Sequence, residues 1–141
     1  MKKLFLVIDD DSDDREFFQE ALSEIDETAQ CVHAEDGVDG LHKLRGMDET
    51  PDFIFLDLNM PRMDGWQCLT EIKKDDKLKD IPVIIFSTSS SQRDKDSTYS
   101  LGASYFLTKP TDYKKLCTAI SFIMECDLTA LNENSASKLR N

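Results

Sequence analysis

Apolar residues fall into two kinds of run along the chain. Leu4–Ile8, Phe53–Leu56 and Val83–Phe86 are short blocks without polar interruption. A strand covered on both faces reads this way, and such strands belong to parallel sheets. Gln30–Ala34 and Ser104–Thr108 are weaker blocks of the same kind. Between the blocks the apolar spacing changes to that of helices. Phe17, Phe18, Ala21, Leu22 and Ile25 form one stripe, behind Asp11 or Ser12 as cap. Val38, Leu41 and Leu44 form a second, with Gly37 and Gly40 at its start and Gly46 at its end. Trp66, Leu69 and Ile72 mark a third, capped by Asp64, which runs out in the charged turn KKDDKLKD. Gln92–Leu101 is mostly polar and makes a poor helix, with Gly102 as its stop. Tyr113, Leu116, Cys117, Ile120, Ile123 and Met124 give the clearest stripe of all.

The alternation is strand then helix, five times over. It predicts an α/β fold in which right-handed crossovers place helices on both faces of a parallel sheet. At 141 residues the chain makes one domain, expected over 1–126, with 127–141 as a polar tail or helix extension. No output domain fits in that tail.

Composition narrows the function classes. Net charge is -11, which argues against direct nucleic-acid binding and favours cations or basic partners. The apolar run Leu4–Ile8 is too short for a signal peptide, and no stretch approaches membrane-spanning length. Cys31, Cys68, Cys117 and Cys126 lack CxxC spacing and lie in or beside apolar patterns, so buried free thiols in a reducing cytoplasm are expected. Asp9, Asp11, Asp13 and Glu20 mimic a calcium-loop spacing, but Asp14 stands where that loop needs glycine. Asp11, Asp13 and Asp14 read instead as residues favoured at a helix start. His33 and His42 lack partners at ligand spacing.

The chemistry gathers at the strand ends. Asp9 and Asp10, Asp57, Ser87 and Lys109 each follow an apolar block, and in a parallel sheet all these ends share one edge. Two carboxylates about 4 Å apart repel by about 4 kcal/mol at an effective dielectric of 20, so three of them call for a cation. All-oxygen ligands suit a hard divalent ion such as Mg2+. With Lys109 and the Ser87 hydroxyl beside it, Asp57 is arranged as a phosphoryl acceptor.

The motifs VIDD at Val7–Asp10, FLDLNMPRMDG at Phe55–Gly65, PVIIFST at Pro82–Thr88 and GASYFLTKP at Gly102–Pro110 stand in order and at matching spacing. Together they resemble a stand-alone receiver domain of two-component response regulators, of the chemotaxis-regulator kind. The resemblance implies a flavodoxin-like (βα)5 three-layer sandwich with strand order 2-1-3-4-5. It makes Asp57 the phosphoacceptor and gives Asp9, Asp10, Asp57 and the Asn59 backbone carbonyl to Mg2+. Ser87 and Lys109 would contact the phosphoryl group, Lys109–Pro110 would be a cis peptide, and Phe106 would be the switch aromatic. The implied donor is a histidine kinase or histidine phosphotransfer protein. The output would be a downstream protein reading a changed face of fourth helix, fifth strand and fifth helix, with the chain a monomer or weak homodimer.

Ser87 stands where threonine is commoner, Phe106 lacks the frequent tyrosine hydroxyl, and Thr88 would narrow access to Asp57. Two other readings compete. A phosphate-independent scaffold has no chemical need for the full acidic, hydroxyl and lysine set. A haloacid dehalogenase-type phosphatase needs an acid two residues after the aspartate, and Asn59 stands there.

Overall fold

Five apolar blocks cannot stay in water, and side-by-side pairing satisfies their backbones while burying both faces. A computed structural model describes residues 2–126. Its strands are β1 (Leu4–Ile8), β2 (Gln30–Ala34), β3 (Phe53–Leu56), β4 (Val83–Ser87) and β5 (Tyr105–Thr108). They form one parallel sheet in the order β2-β1-β3-β4-β5, as the resemblance implies. The inner strands β3 and β4 are buried throughout, and β1 nearly so. The edge strands β2 and β5 are half-exposed, which is why their sequences carry the weaker signal.

The helices are α1 (Ser12–Ile25), α2 (Gly37–Gly46), α3 (Gly65–Lys74), α4 (Gln92–Ser100) and α5 (Tyr113–Glu125). Alternate strand residues feed opposite layers. Phe5, Val7, Phe53, Phe55, Ile84 and Phe86 pack against α1 and α5. Leu6, Ile8, Ile54, Leu56, Ile85 and Phe106 pack against α2, α3 and α4.

Caps follow the sequence closely. The Asp11 carboxylate accepts from the Asp13 and Asp14 N–H groups, and Asp64 with Gln67 completes a capping box on α3. α4 buries only Thr98 and Tyr99. It ends in Gly102 at φ +107°, with the Ala103 and Gly102 N–H groups bonded to the Thr98 and Tyr99 carbonyls. The expected charged turn after α3 differs from its reading. Leu78 within KKDDKLKD is fully buried, and Ile81 joins it under the α2–α3 layer. One apolar residue among charges carries no periodicity, so the pattern missed it.

The cysteines are free; Cys68 is buried and Cys31, Cys117 and Cys126 are half-buried. Burial pushes the Cys31 and Cys68 thiols up to about 12, which favours their protonated form. No described helix is long and apolar enough to cross a membrane. The expected tail, 127–141, lies outside the described residues.

Candidate functional site

Three strands carry their pairing one residue past their ends, and that residue is each time a charged one. The Asp9 N–H donates to the Ala34 carbonyl (3.0 Å), Asp57 to Ile8 (2.9 Å) and Lys109 to Ser87 (2.7 Å). The sheet therefore fixes the backbones of Asp9, Asp57 and Lys109 before their side chains meet. Asp9 and Asp57 are buried while Asp10 is exposed, yet one carboxylate oxygen from each lies within 4.8 Å of the others.

Close packing holds the loop after β3 against this edge. A Cβ on Gly65 would run into the Asp57 carbonyl and the Leu58 Cα, so the start of α3 passes the site at a distance only glycine allows. The Gly65 N–H donates to the Leu58 carbonyl (2.8 Å), and the Leu58 N–H to Asp57 Oδ1 (2.9 Å). Arg62 sits at φ 62° and aims its guanidinium at the buried Asp36 Oδ2, 2.7 Å from both Nε and Nη2. The loop is thereby clamped to the N-terminus of α2, which Asp36 caps.

The electrostatics are those of a crowded acidic edge. Burial, then the charges of Asp9 and Asp10, push Asp57 up to about 7 against the pull of Lys109. Burial also raises Asp9, against the hydrogen-bonding and charge of Lys109. Lys109 is desolvated too, but its bonds to Asp14 and Asp9 outweigh that and hold it charged above the usual lysine range. Its Nζ lies 2.8 Å from Asp9 Oδ2, 2.8 Å from Asp14 Oδ2 and 3.9 Å from Asp57 Oδ2, and 5.6 Å from the Phe86 ring centroid. Asp9 Oδ2 is buried and meets only the Lys109 ammonium, as a 2.8 Å ion pair. Three converging carboxylates that share a single ammonium fit a hard divalent cation.

Ser87 is fully buried, and its Oγ accepts from the Ser89 N–H (3.1 Å). Phe106 is buried in the α2–α3–α4 layer, and its N–H donates to the Tyr99 hydroxyl (3.1 Å). Asn59 is exposed, two residues beyond Asp57 in the loop.

The model of the response regulator receiver domain matches residues 5–121. The chain belongs to that family. Rcp1, a response regulator of Synechocystis, is 33% identical over 119 residues, which cover 81% of this chain and 81% of Rcp1. A solved structure of the Mn2+-bound form of Rcp1 superposes with a TM-score of 0.77 at 30% identity, covering 89% of this chain and 94% of that one. The crystal structure of the phosphorylated cyanobacterial phytochrome response regulator RcpA reaches 0.81 at 33% identity, covering 89% of this chain and 93% of RcpA. The sensor histidine kinase CheAY of Helicobacter pylori is 32% identical over 117 residues, 83% of this receiver domain but 14% of the kinase.

One expectation for the receiver site is corrected. No cis peptide bond occurs among the described residues, so Lys109–Pro110 is trans. A prolyl bond favours trans by about 0.5–1 kcal/mol, and here the Lys109 side chain reaches the acidic edge from a trans bond. Three side chains at or near the site were missed by sequence reasoning. Asp14 reads as a helix-start acid yet bonds Lys109. Arg62 gives no sign of its left-handed backbone or its pairing with Asp36. Trp66 reads as core, but its indole N–H donates to Ser97 Oγ (2.9 Å) and ties α3 to α4. All three contacts are long-range, and no local pattern encodes them.

Proposed function

We propose that Asp57 accepts a phosphoryl group from the phosphohistidine of a histidine kinase or phosphotransfer protein. The observation that carries this is the buried Asp57 facing Asp9, Asp10 and Lys109 at one sheet edge. A carboxylate oxygen of Asp57 attacks phosphorus, and the bond from phosphorus to the donor imidazole nitrogen breaks. Asp57 must be ionised for this, and the positive charge beside it opposes the upward push of burial. Asp9, Asp10, Asp57 and the Asn59 carbonyl would hold Mg2+, which supplies positive charge against the transferred oxygens. Lys109 pairs with the phosphoryl group from one side, and the Ser87 hydroxyl donates to it from another.

The output follows from Ser87 and from Phe106, which stands on the adjacent strand opposite Ile85. As Ser87 moves to the phosphoryl group, Phe106 repacks, and the face of α4, β5 and α5 changes. That face carries a groove of about 470 Å3 lined by Tyr105, Lys114, Lys115, Thr118, Ala119 and Phe122. Phe122 is 44% exposed there, and two lysines rim an apolar floor on an otherwise acidic protein. Such a surface suits a downstream protein partner in the cytoplasm, and the domain catalyses only its own phosphoryl transfer and hydrolysis.

Incubation with a small acyl phosphate donor tests the reading by intact mass. A gain of one phosphate that needs Mg2+ and disappears in Asp57→Asn is expected. No gain, under conditions that label another receiver domain, would overturn it.

A further inference from the structure

The proposed phosphoryl contact Lys109 is committed elsewhere in the resting structure. Its Nζ lies 2.8 Å from Asp14 Oδ2, to which it donates, and 2.8 Å from Asp9 Oδ2 in the acidic cluster, but stands 3.9 Å from Asp57 Oδ2. Asp14 belongs to α1, 95 positions away in sequence, and lies outside the three-carboxylate cluster. An acid in the first helical turn is ordinarily explained by the helix dipole. That role asks for no partner, and the exposed Asp13 in the same turn fills it equally.

We infer that Asp14 is a positioning residue that competes with the phosphoryl group for Lys109, and so sets how readily Asp57 is phosphorylated. The inference rests on the phosphoacceptor reading. The lysine side chain is 11% exposed and its ammonium lies near the Phe86 ring, so its freedom is a short swing between α1 and β3. A phosphoryl group on Asp57 brings about two negative charges and draws the ammonium toward β3. The bond to Asp14 is lost in that swing, and its loss is subtracted from the stability of the phosphorylated state. Asp14 then rehydrates easily, because its side chain is already 37% exposed. The negative charge of Asp14 also opposes the approach of an anionic donor.

Two readings of the full chain test this: the affinity for beryllofluoride with Mg2+, which imitates a phosphoryl group, and the rate of labelling by the acyl phosphate donor. Asp14→Asn should tighten the first and speed the second by about threefold to fivefold, as expected for loss of a partly exposed ion pair. Asp13→Asn removes the same net charge without touching Lys109 and should give less than half that gain. Asp14→Glu, which keeps a carboxylate in reach, should return both values to near wild type. A merely structural Asp14 would give the opposite sign, weaker binding and slower labelling. No gain in Asp14→Asn, an equal gain in Asp13→Asn, or no return in Asp14→Glu would each overturn the inference while leaving a labelled wild type intact. A wild type that neither labels nor binds beryllofluoride would instead overturn the phosphoacceptor reading, and this inference with it.

Discussion

The two faces of the sheet are filled differently. Toward α1 and α5 the packing is aromatic: Phe18 lies 4.6 Å from Phe55, Phe55 5.9 Å from Phe86, and Phe5 5.1 Å from Phe53 between ring centroids. Phe17 and Tyr113 then join α1 to α5 at 5.7 Å. Toward α2, α3 and α4 the packing is mostly aliphatic, with Tyr99 and Phe106 as its buried aromatics, and α4 adds little else to it. That helix is held by polar bonds instead: Trp66 to Ser97, Phe106 N–H to Tyr99, and Ser89 to Asp94. Buried rings that interlock tolerate little movement, whereas a helix held by a few hydrogen bonds opens at low cost. The strand alternation divides the site along the same line. Asp9, Asp57 and Lys109 continue the positions of Val7, Phe55 and Leu107, on the aromatic side. Ser87 and Phe106 continue those of Ile85 and its neighbours, on the α4 side. On the proposed function, the carboxylates and Lys109 stand on the rigid face, while Ser87 meets the phosphoryl group from the soft one and carries the response there with Phe106.

The largest expected effect is on the aromatic face. Phe18→Ala should cost about 3–5 kcal/mol in denaturant unfolding, since the ring is fully buried among three others. A loss below about 2 kcal/mol would mean that this face is no tighter than the other.

Next is the acidic edge. The folded pKa of Asp57, about 7, lies above its ordinary 3.8, so the folded state binds this proton more tightly than the unfolded chain. The stability from that proton is complete below the unfolded pKa and is lost as pH rises through the folded one. Metal-free protein should therefore be more stable near pH 5 than near pH 8. Asp57→Asn should flatten that slope and add about 1–2 kcal/mol at pH 8 in thermal or denaturant unfolding. A slope that survives the substitution would place the strain elsewhere.

The smallest effect belongs to α4. Tyr99→Phe removes the acceptor of the Phe106 N–H and should cost about 1 kcal/mol. Its signature is local: amide exchange should quicken in α4 and β5 and stay unchanged in α1.

Most of this plan was legible in the chain. Phe53–Leu56 and Val83–Phe86 announce inner strands because both faces are covered, and their ends locate Asp57 and Ser87. Gln30–Ala34 and Tyr105–Thr108 are fainter because an edge strand half-faces water. The polar sequence of α4 already marks it as the weakly held helix. What stayed hidden was pairing at a distance. Asp14 is chemically the same as Asp13 in the sequence, and only the arrival of Lys109 from β5 separates them. Leu78 looks solvated because its neighbours are charged.

Hydrogen exchange over residues 2–126, with Mg2+ and with or without the acyl phosphate donor, separates the two faces of the sheet. Phosphorylation should change protection over 88–108, which holds the β4–α4 loop, α4 and β5, while 12–25 and the inner part of β1 and β3 keep theirs. A change spread evenly over both faces, or confined to α1, would contradict that division.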